Sequence, residues 1–575
     1  MTVAEYVINR VSQEVSHVFG VVGGGSMYLF DALARHNQLK YIACHHEQAA
    51  AMAAEGYSRI AGFGVCLVST GPAGTNTLTG IGCAFMDSIP LLVITGQANS
   101  HTLIRKKEER QNGVHEVDIE SIAKPITKFA YRLRSPDEVK SYLEYAIMLA
   151  KGGRPGPVLL DIPLDIQNAE YKPVDLFYAS YKDKEPDPDA IDSCLTLLKE
   201  AEHPVILVGH GVRLGNVTNT LLKFAETHRI PLVTTKLGYE LVPYAHPCHI
   251  GMIGNYGSLA ANKTIQNADL VIMLGTRLTA PTTGYNREMF ASDAIKVLVD
   301  IDEVSLKQSC NNVHIDLPIQ SSTFHFVLDL ATRHEELGGY SSWLRECRNL
   351  REDIPTVKKE WYTQGYVNPY CFYEMLSEVV DDNAIVISDQ GASFYALTTA
   401  FKVKAGQRVF TNGGFSPMGY GLPAAIGAAI AAPDRPVYCI HGDGGLQLNI
   451  QELSTIAQYL PNLKLFVMCN DGYVSLKNTQ DQYFEGRYIG SSGEHGMSLP
   501  QLYGMTEFFG VRSVCSITEH SDLADRLAPI CSITDPMVIP LYCNPHQCFT
   551  PRVVSLPDEN GVLQAPSLDK MKEYE

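Results

Sequence analysis

The residue types best suited to chemistry sit near the end of the chain. The β-rich run PVYCIH at 436–441 ends in Gly442-Asp443-Gly444-Gly445, and the run LKLFVMC at 463–469 ends in Asn470-Asp471-Gly472-Tyr473. Twenty-five residues separate Gly444 from Asn470. Ligands of a doubly wound sheet collect at the carboxyl ends of its strands. Neighbouring strands would therefore bring the Asp443 carboxylate beside the Asn470 amide oxygen. These are hard oxygen ligands carrying one charge. Mg²⁺ accepts few protein ligands of this kind and fills its octahedron with water and phosphate oxygens. The flanking glycines let the backbone approach a diphosphate and offer it N–H groups. A glycine-flanked Asp alone is an ordinary strand-to-helix turn; the second motif at matching distance gives it chemical meaning.

Far upstream, Cys44-His45-His46-Glu47-Gln48-Ala49-Ala50 follows the strand-like KYIAC and opens an Ala-rich helix. The helix macrodipole alone would favour Glu47 there. Its second use is proton transfer, for which an apolar pocket would raise its pKa. His115, in Val114-His115-Glu116, is either a proton relay or a plain polar loop residue.

The elements that must position these groups form three α/β blocks. In the first, β-rich runs at 65–70, 91–96 and 157–163 alternate with helix-like segments such as Glu47–Ile60. That alternation predicts βαβ units and a parallel sheet. A polar, Pro-containing stretch follows Gln167. Runs at 204–211, 231–235, 268–275 and 295–302 repeat the pattern, and a charged helical region lies near 326–365. The third block has runs at 383–389, 436–444, 463–471 and 536–543. The expected organisation is an α/β protein of three doubly wound parallel-sheet domains. They cover 1–168, 188–345 and 346–545, with a linker at 169–187 and a covering tail at 546–575. Three similar blocks would fit duplication.

Composition narrows the class. A chain of 575 residues is too long for one hydrophobic core. With 46 Lys+Arg against 63 Asp+Glu the net charge is −17, which argues against a nucleic-acid groove or an anionic membrane surface. No apolar run approaches the ~18 residues of a spanning helix. MTVAEYVINRVSQEV lacks the apolar core of a secretory signal. Fourteen cysteines without a CxxC pair read as reduced thiols in a cytoplasmic protein.

The paired strand-end motifs resemble the thiamin-diphosphate (ThDP) binding signature, GDG followed downstream by Asn-Asn. Cys469 stands where the first Asn would be, and Asn470 falls on the second, the family's metal ligand. Gly23-Gly24-Gly25 and Ser69-Thr70-Gly71-Pro72-Ala73-Gly74-Thr75-Asn76 resemble the pyrimidine-binding domain of acetolactate-synthase-type enzymes. Gly413–Gly419 and Asp389–Ser393 are similar to cofactor-side segments of that family.

The resemblance implies ThDP and Mg²⁺ as cofactors. It assigns Asp443, Asn470 and the Gly472 carbonyl to the metal. It assigns Gly24, Gly74, Asn76, Gln390, Gly391, Ala392, Ser393, Ser416, Gly442, Gly444, Gly445, Tyr473 and Val474 to ThDP. Met418 would support the cofactor from below, and Glu47 would be the catalytic carboxylate against the aminopyrimidine. It also implies a homodimer or homotetramer whose sites join the first domain of one chain to the third of another.

Departures from the family bear on which reaction is run. Val114-His115-Glu116 replaces a Phe-Gln-Glu segment of the biosynthetic enzyme. Arg154, Gly211 and Arg277 match positions that touch a non-redox FAD. The family's Arg-Phe-Asp-Asp is Arg277-Leu278-Thr279-Ala280 here, without either acid, so FAD stays open. The stretches 471–492 and 544–552 resemble the branch that acts on surface-polysaccharide keto-sugars. The expected reaction is decarboxylation of a 2-keto acid such as pyruvate. Its two-carbon unit would pass to a ketone acceptor, a nucleotide-linked keto-sugar. Acetolactate synthesis and simple 2-keto acid decarboxylation are the alternatives.

Overall fold

The computed structural model describes residues 1–573 except 105–107, 173, 176–179, 334–336, 364, 500 and 515. Parts of the expected linker (173 and 176–179) and the last two residues of the expected tail lie outside the described residues. Among those described, no helix is long and apolar enough to cross a membrane.

Three six-stranded sheets follow one another along the chain, each with all its strands parallel. The first lies in the spatial order Lys40–Ala43, His17–Gly20, Gly64–Val68, Leu91–Gln97, Pro157–Pro163, Phe129–Arg132. The third lies in the order Arg408–Phe410, Ile385–Ser388, Val437–Gly442, Leu463–Cys469, Met537–Tyr542, Arg512–Ser513. Counted within each sheet, both orders are 2-1-3-4-6-5, so the outer blocks share one topology. The middle sheet runs His249–Met252, Leu232–Thr234, Pro204–Val208, Leu270–Leu274, Ile295–Asp300, Leu317–Gln320. Its order is 3-2-1-4-5-6, that of a dinucleotide-binding sheet. Central strands such as Gly64–Val68, Pro204–Val208 and Leu270–Leu274 are buried throughout. Helices cover both faces of such sheets, which is why these strands read as continuous apolar runs rather than alternating ones.

Two expected boundaries look different in three dimensions. The one at 345/346 falls inside the helix Ser341–Asp353, whose buried Trp343, Leu344 and Cys347 join the middle core. The tail also reaches the middle sheet. Val553 N–H donates to Asn255 O at 2.9 Å, Asn262 Nδ2 donates to Leu568 O at 3.0 Å, and Leu568 is buried in the middle core. On its way it meets the helix Val474–Phe484, where Asn478 Nδ2 donates to Gln547 O at 3.0 Å.

The outer sheets meet through two helices of small residues. Glu47–Ala61, EQAAAMAAEGYSRIA, is buried from Ala49 to Arg59 and packs on Gly421–Ala431, GLPAAIGAAIA. A Cβ on Gly56 would lie 2.3 Å from Ala424 O, and one on Gly427 would lie 1.9 Å from Ala53 O. Backbones this close leave no room for a side chain. Gly427→Val is therefore expected to lower stability by about 1–3 kcal/mol or more. Urea denaturation measures this, and an unchanged midpoint would show that the seam tolerates bulk.

Candidate active site

The third sheet forms an oxygen-lined turn where the two motifs meet. The strands Val437–Gly442 and Leu463–Cys469 are neighbours, and their ends bring Asp443 against Asn470–Gly472. Asp443 Oδ1 accepts from Gly444 N at 2.7 Å and Gly472 N at 3.2 Å, while Oδ2 accepts from Asn470 N at 3.0 Å. Burial nevertheless pushes the carboxyl up to about 6, against the backbone donors that favour its ionised form. Asn470 is 4% exposed, and its Oδ1 has no hydrogen-bond partner among the described residues. A buried amide oxygen left without a donor is costly unless a cation satisfies it. This donor set, one carboxylate and one free amide oxygen on adjacent strand ends, fits Mg²⁺. Gly472 has φ +99°, which turns the backbone back at this point. Lys477, almost fully buried, donates to Asn470 O at 3.2 Å and Asp471 O at 3.0 Å and braces the turn.

Around the turn, a Cβ on Gly444 would strike the Tyr473 ring and Met497 Cε at 2.6 Å, and one on Gly445 would strike Asp389 Oδ2 at 2.5 Å. A Cβ on Gly442 would meet nothing within 4 Å, so space remains on that side. Asp389 is buried and accepts from Gly419 N at 3.2 Å and Gly421 N at 3.1 Å, which fixes the segment carrying Met418. Met418 itself is 42% exposed. Gly391 has φ +75° and leads into the helix Ala392–Ala400. Gln390 Nε2 donates to Thr411 Oγ1 and Asn412 O, both at 2.9 Å. Two of the expected cofactor contacts are turned inward. The Ser393 hydroxyl donates to Gln390 O at 3.1 Å and is buried, and the Val474 side chain is 2% exposed.

The first sheet holds a second half-site. Glu47 begins its helix after His46, whose Nδ1 caps Gln48 N, so the imidazole has a structural task. Asn76 Nδ2 donates to Glu47 Oε2 at 2.9 Å and fixes the carboxylate's orientation. The glycine loop lies against the loop after the next strand: Gly25 N donates to Ser69 Oγ at 3.1 Å, and a Cβ on Gly25 would lie 1.6 Å from Thr70 Oγ1. Gly24 faces open space, while Gly74 is buried against Ile119. His115 is exposed, with φ +56°, and its carbonyl lies 2.1 Å from where a Cβ of Gly71 would sit. Glu116 shapes that loop. Burial pushes its carboxyl up, yet the N–H groups of Ile104, Asn112 and Gly113 hold it below its ordinary value.

One organising residue is not apparent in the motifs. Asp87, fully buried, accepts from Gly413 N at 2.8 Å, Gly414 N at 2.7 Å, Asn412 Nδ2 at 3.0 Å and Arg59 Nη2 at 2.7 Å. It fastens the loop before Ser416 to the first sheet. Arg59 also donates to Glu55, which accepts the Tyr420 hydroxyl at 2.6 Å. The available signal was an acid standing alone between the apolar runs of GIGCAFMDSIPLLVITG.

The middle sheet opens onto a cavity of about 900 Å³ lined by Arg154, Gly211 and Arg277, and by Ser416 of the third block. Arg154 is already engaged, donating to Asp302 Oδ2 at 3.1 Å, Ser305 Oγ at 2.5 Å and Ser88 Oγ at 2.8 Å.

Comparison with known proteins identifies the fold's relatives. Residues 1–122, 191–328 and 389–541 match the N-terminal TPP binding, central and C-terminal TPP binding domains of thiamine pyrophosphate enzymes. The chain belongs to the thiamine-pyrophosphate-dependent enzymes. It is 31% identical to an acetolactate synthase large subunit of Buchnera aphidicola over 91% of each chain. It is 32% identical to a probable acetolactate synthase large subunit of Methanocaldococcus jannaschii, over 95% of this chain and 92% of that one. It is also 32% identical to the Escherichia coli acetolactate synthase isozyme 3 large subunit, over 88% of each. The protein is thus a ThDP-dependent enzyme related to acetolactate synthase. For this enzyme, Asn470→Ala should weaken Mg²⁺-dependent ThDP binding by roughly 10–100-fold while leaving the fold intact. Titration calorimetry reads the change, and wild-type affinity would remove Asn470 from the metal set.

Proposed function

We propose that this enzyme decarboxylates a 2-keto acid, with pyruvate as donor, and joins the two-carbon acetyl unit to a ketone acceptor, a nucleotide-linked keto-sugar. The observation that carries the decarboxylating carboligase is the pair of half-sites. Glu47 is oriented by Asn76 on the first sheet, and Asp443 stands beside the unsatisfied Asn470 oxygen on the third. Bound ThDP supplies the electron sink for decarboxylation. Glu47 holds and returns the proton at the pyrimidine side. Asp443, Asn470 and the Gly472 carbonyl hold Mg²⁺, and glycine N–H groups receive the diphosphate. Met418 gives apolar support, and His115, on the exposed loop beside Gly71, is the candidate proton relay.

The acceptor assignment rests on the resemblance of the 471–492 and 544–552 segments. Acetolactate synthesis is the second reading, favoured by relatives that carry that name along nearly their whole length. NMR product analysis with ThDP, Mg²⁺ and pyruvate, with and without a nucleotide-linked 4-keto-sugar, separates them. A branched sugar is expected. Acetolactate with the sugar untouched would establish the second reading, and acetaldehyde would mean simple decarboxylation. Glu47→Gln should slow turnover at least ~10²-fold; near-wild-type turnover would remove its role.

The resemblance to the family supports a homodimer in which Glu47 of one chain works with Asp443 of the other. Mixing Glu47→Gln with Asp443→Asn chains should then restore about a quarter of wild-type activity, because half the dimers carry one intact site. No recovery after subunit exchange, measured as carbon dioxide release, would place both residues in one chain's site.

The middle cavity suits FAD in size and charge, with Arg277 and the Gly211 turn as its contacts, although Thr279 and Ala280 provide no acids there. FAD would serve this enzyme as a structural element.

A further inference from the structure

The cavity on the middle sheet contains two cations that no anion of the described residues touches directly. Segments following all six strands line it, from Phe324 at one end through Arg277, His210 and Lys236 to Tyr256 at the other. Six strands span five spacings, roughly 24 Å. That length suits an extended dinucleotide and exceeds a mononucleotide.

The charges in the cavity can be counted against their partners. Arg154 is paired with Asp302. Both oxygens of Asp87 are taken by Arg59, Asn412, Gly413 and Gly414. Asp300 accepts from Asp302 N at 2.9 Å, and burial pushes its carboxyl up to about 6. Lys151 is paired with Glu14, and Asp183 is a further acid on the wall. The cations left without a direct partner are Arg277 and Lys236. Neither side chain has a hydrogen bond or ion pair among the described residues; Lys236 Nζ lies over the Phe394 ring, 3.7 Å from its centroid. Burial pulls the Lys236 ammonium down to about 8 and also lowers the Arg277 guanidinium, against the attraction of Asp87 for both and of Asp300 for Arg277; neither has an anion in direct contact.

Strand order brings the two into register. Arg277 follows the strand on one side of Pro204–Val208, and Lys236 follows the strand on the other side. Between them lies the Gly209–Gly211 turn. A Cβ on Gly211 would sit 2.6 Å from Gly275 Cα, so no side chain fills this gap.

We infer that Lys236, outside the set Arg154, Gly211 and Arg277, pairs with Arg277 across the Gly209–Gly211 turn to clamp the diphosphate of a dinucleotide lying along the cavity. The ligand's name rests on the FAD reading; the diphosphate requirement rests on the two cations.

Calorimetric titration of the ThDP- and Mg²⁺-loaded protein with FAD, ADP-ribose and riboflavin tests this. Wild type should bind FAD well above riboflavin, which lacks phosphate. Lys236→Met should weaken FAD about tenfold or more and flatten its salt dependence, Lys236→Arg should restore it, and ThDP affinity should not move. Lys236→Gln serves if Lys236→Met does not fold. FAD bound equally by wild type and Lys236→Met overturns the clamp and leaves the FAD reading standing. ADP-ribose bound through Lys236 without FAD binding keeps the clamp and removes FAD. No binding of any of the three overturns both.

Discussion

Everything near the cofactor half-sites depends on how closely two helices approach. Ala53 O and the Gly427 Cα leave no gap for a methyl group, and Gly56 meets Ala424 in the same way. A seam of Ala and Gly forfeits side-chain burial but gains backbone proximity, and it locks the first sheet to the third within one chain. Glu47 begins one helix of that seam. The Gly419–Gly421 segment, held by Asp389, enters the other. Each half-site therefore takes its orientation from the same rigid contact.

The seam also determines where charge can be buried. Glu55 and Arg59 occupy the helix Glu47–Ala61, and Asp87 and Tyr420 close the network around them. Two carboxylates share one guanidinium, and burial, ahead of the attraction of Arg59, leaves the Glu55 carboxyl above its ordinary value. Such a cluster is weak evidence of net stability, because desolvation offsets much of the attraction. Its consequence is geometric. Asp87 must keep its donors, and two of them are the backbone N–H groups of Gly413 and Gly414. The loop leading to Ser416 and Met418 is therefore fixed from the first sheet rather than from its own.

What could be read from the sequence follows from what sequence distance preserves. Strands buried on both faces remain apolar runs, and strand-end residues remain next to their strands, so the strand ends that carry Glu47, Asp443 and Asn470 are legible. Strand order is not written locally. That Arg277 and Lys236 flank one turn becomes visible only when the middle sheet shows its 3-2-1-4-5-6 order. Side-chain direction within a motif is equally hidden. Ser393 and Val474 are expected to touch the cofactor, yet one hydroxyl bonds back to Gln390 and the other side chain is buried. The boundary expected at 345/346 cuts the helix Ser341–Asp353 because its charged face conceals a short apolar stripe of Trp343, Leu344 and Cys347.

The shared 2-1-3-4-6-5 order of the outer sheets gives these facts a common logic. Both sheets place glycine turns beside the first and third strands, where the order reverses and a crevice opens. One copy of this frame carries a proton-handling carboxylate, and the other carries oxygens for a metal. The apolar residues around the second copy remain uncovered: Phe415, Met418 and Leu476 are each more than two-fifths exposed, and Ile489 is 80% exposed. Large apolar side chains left exposed on the segments around a polar turn are poorly suited to face water. In the proposed dimer the partner's glycine loops would cover them, so one contact would both exclude water and complete the site.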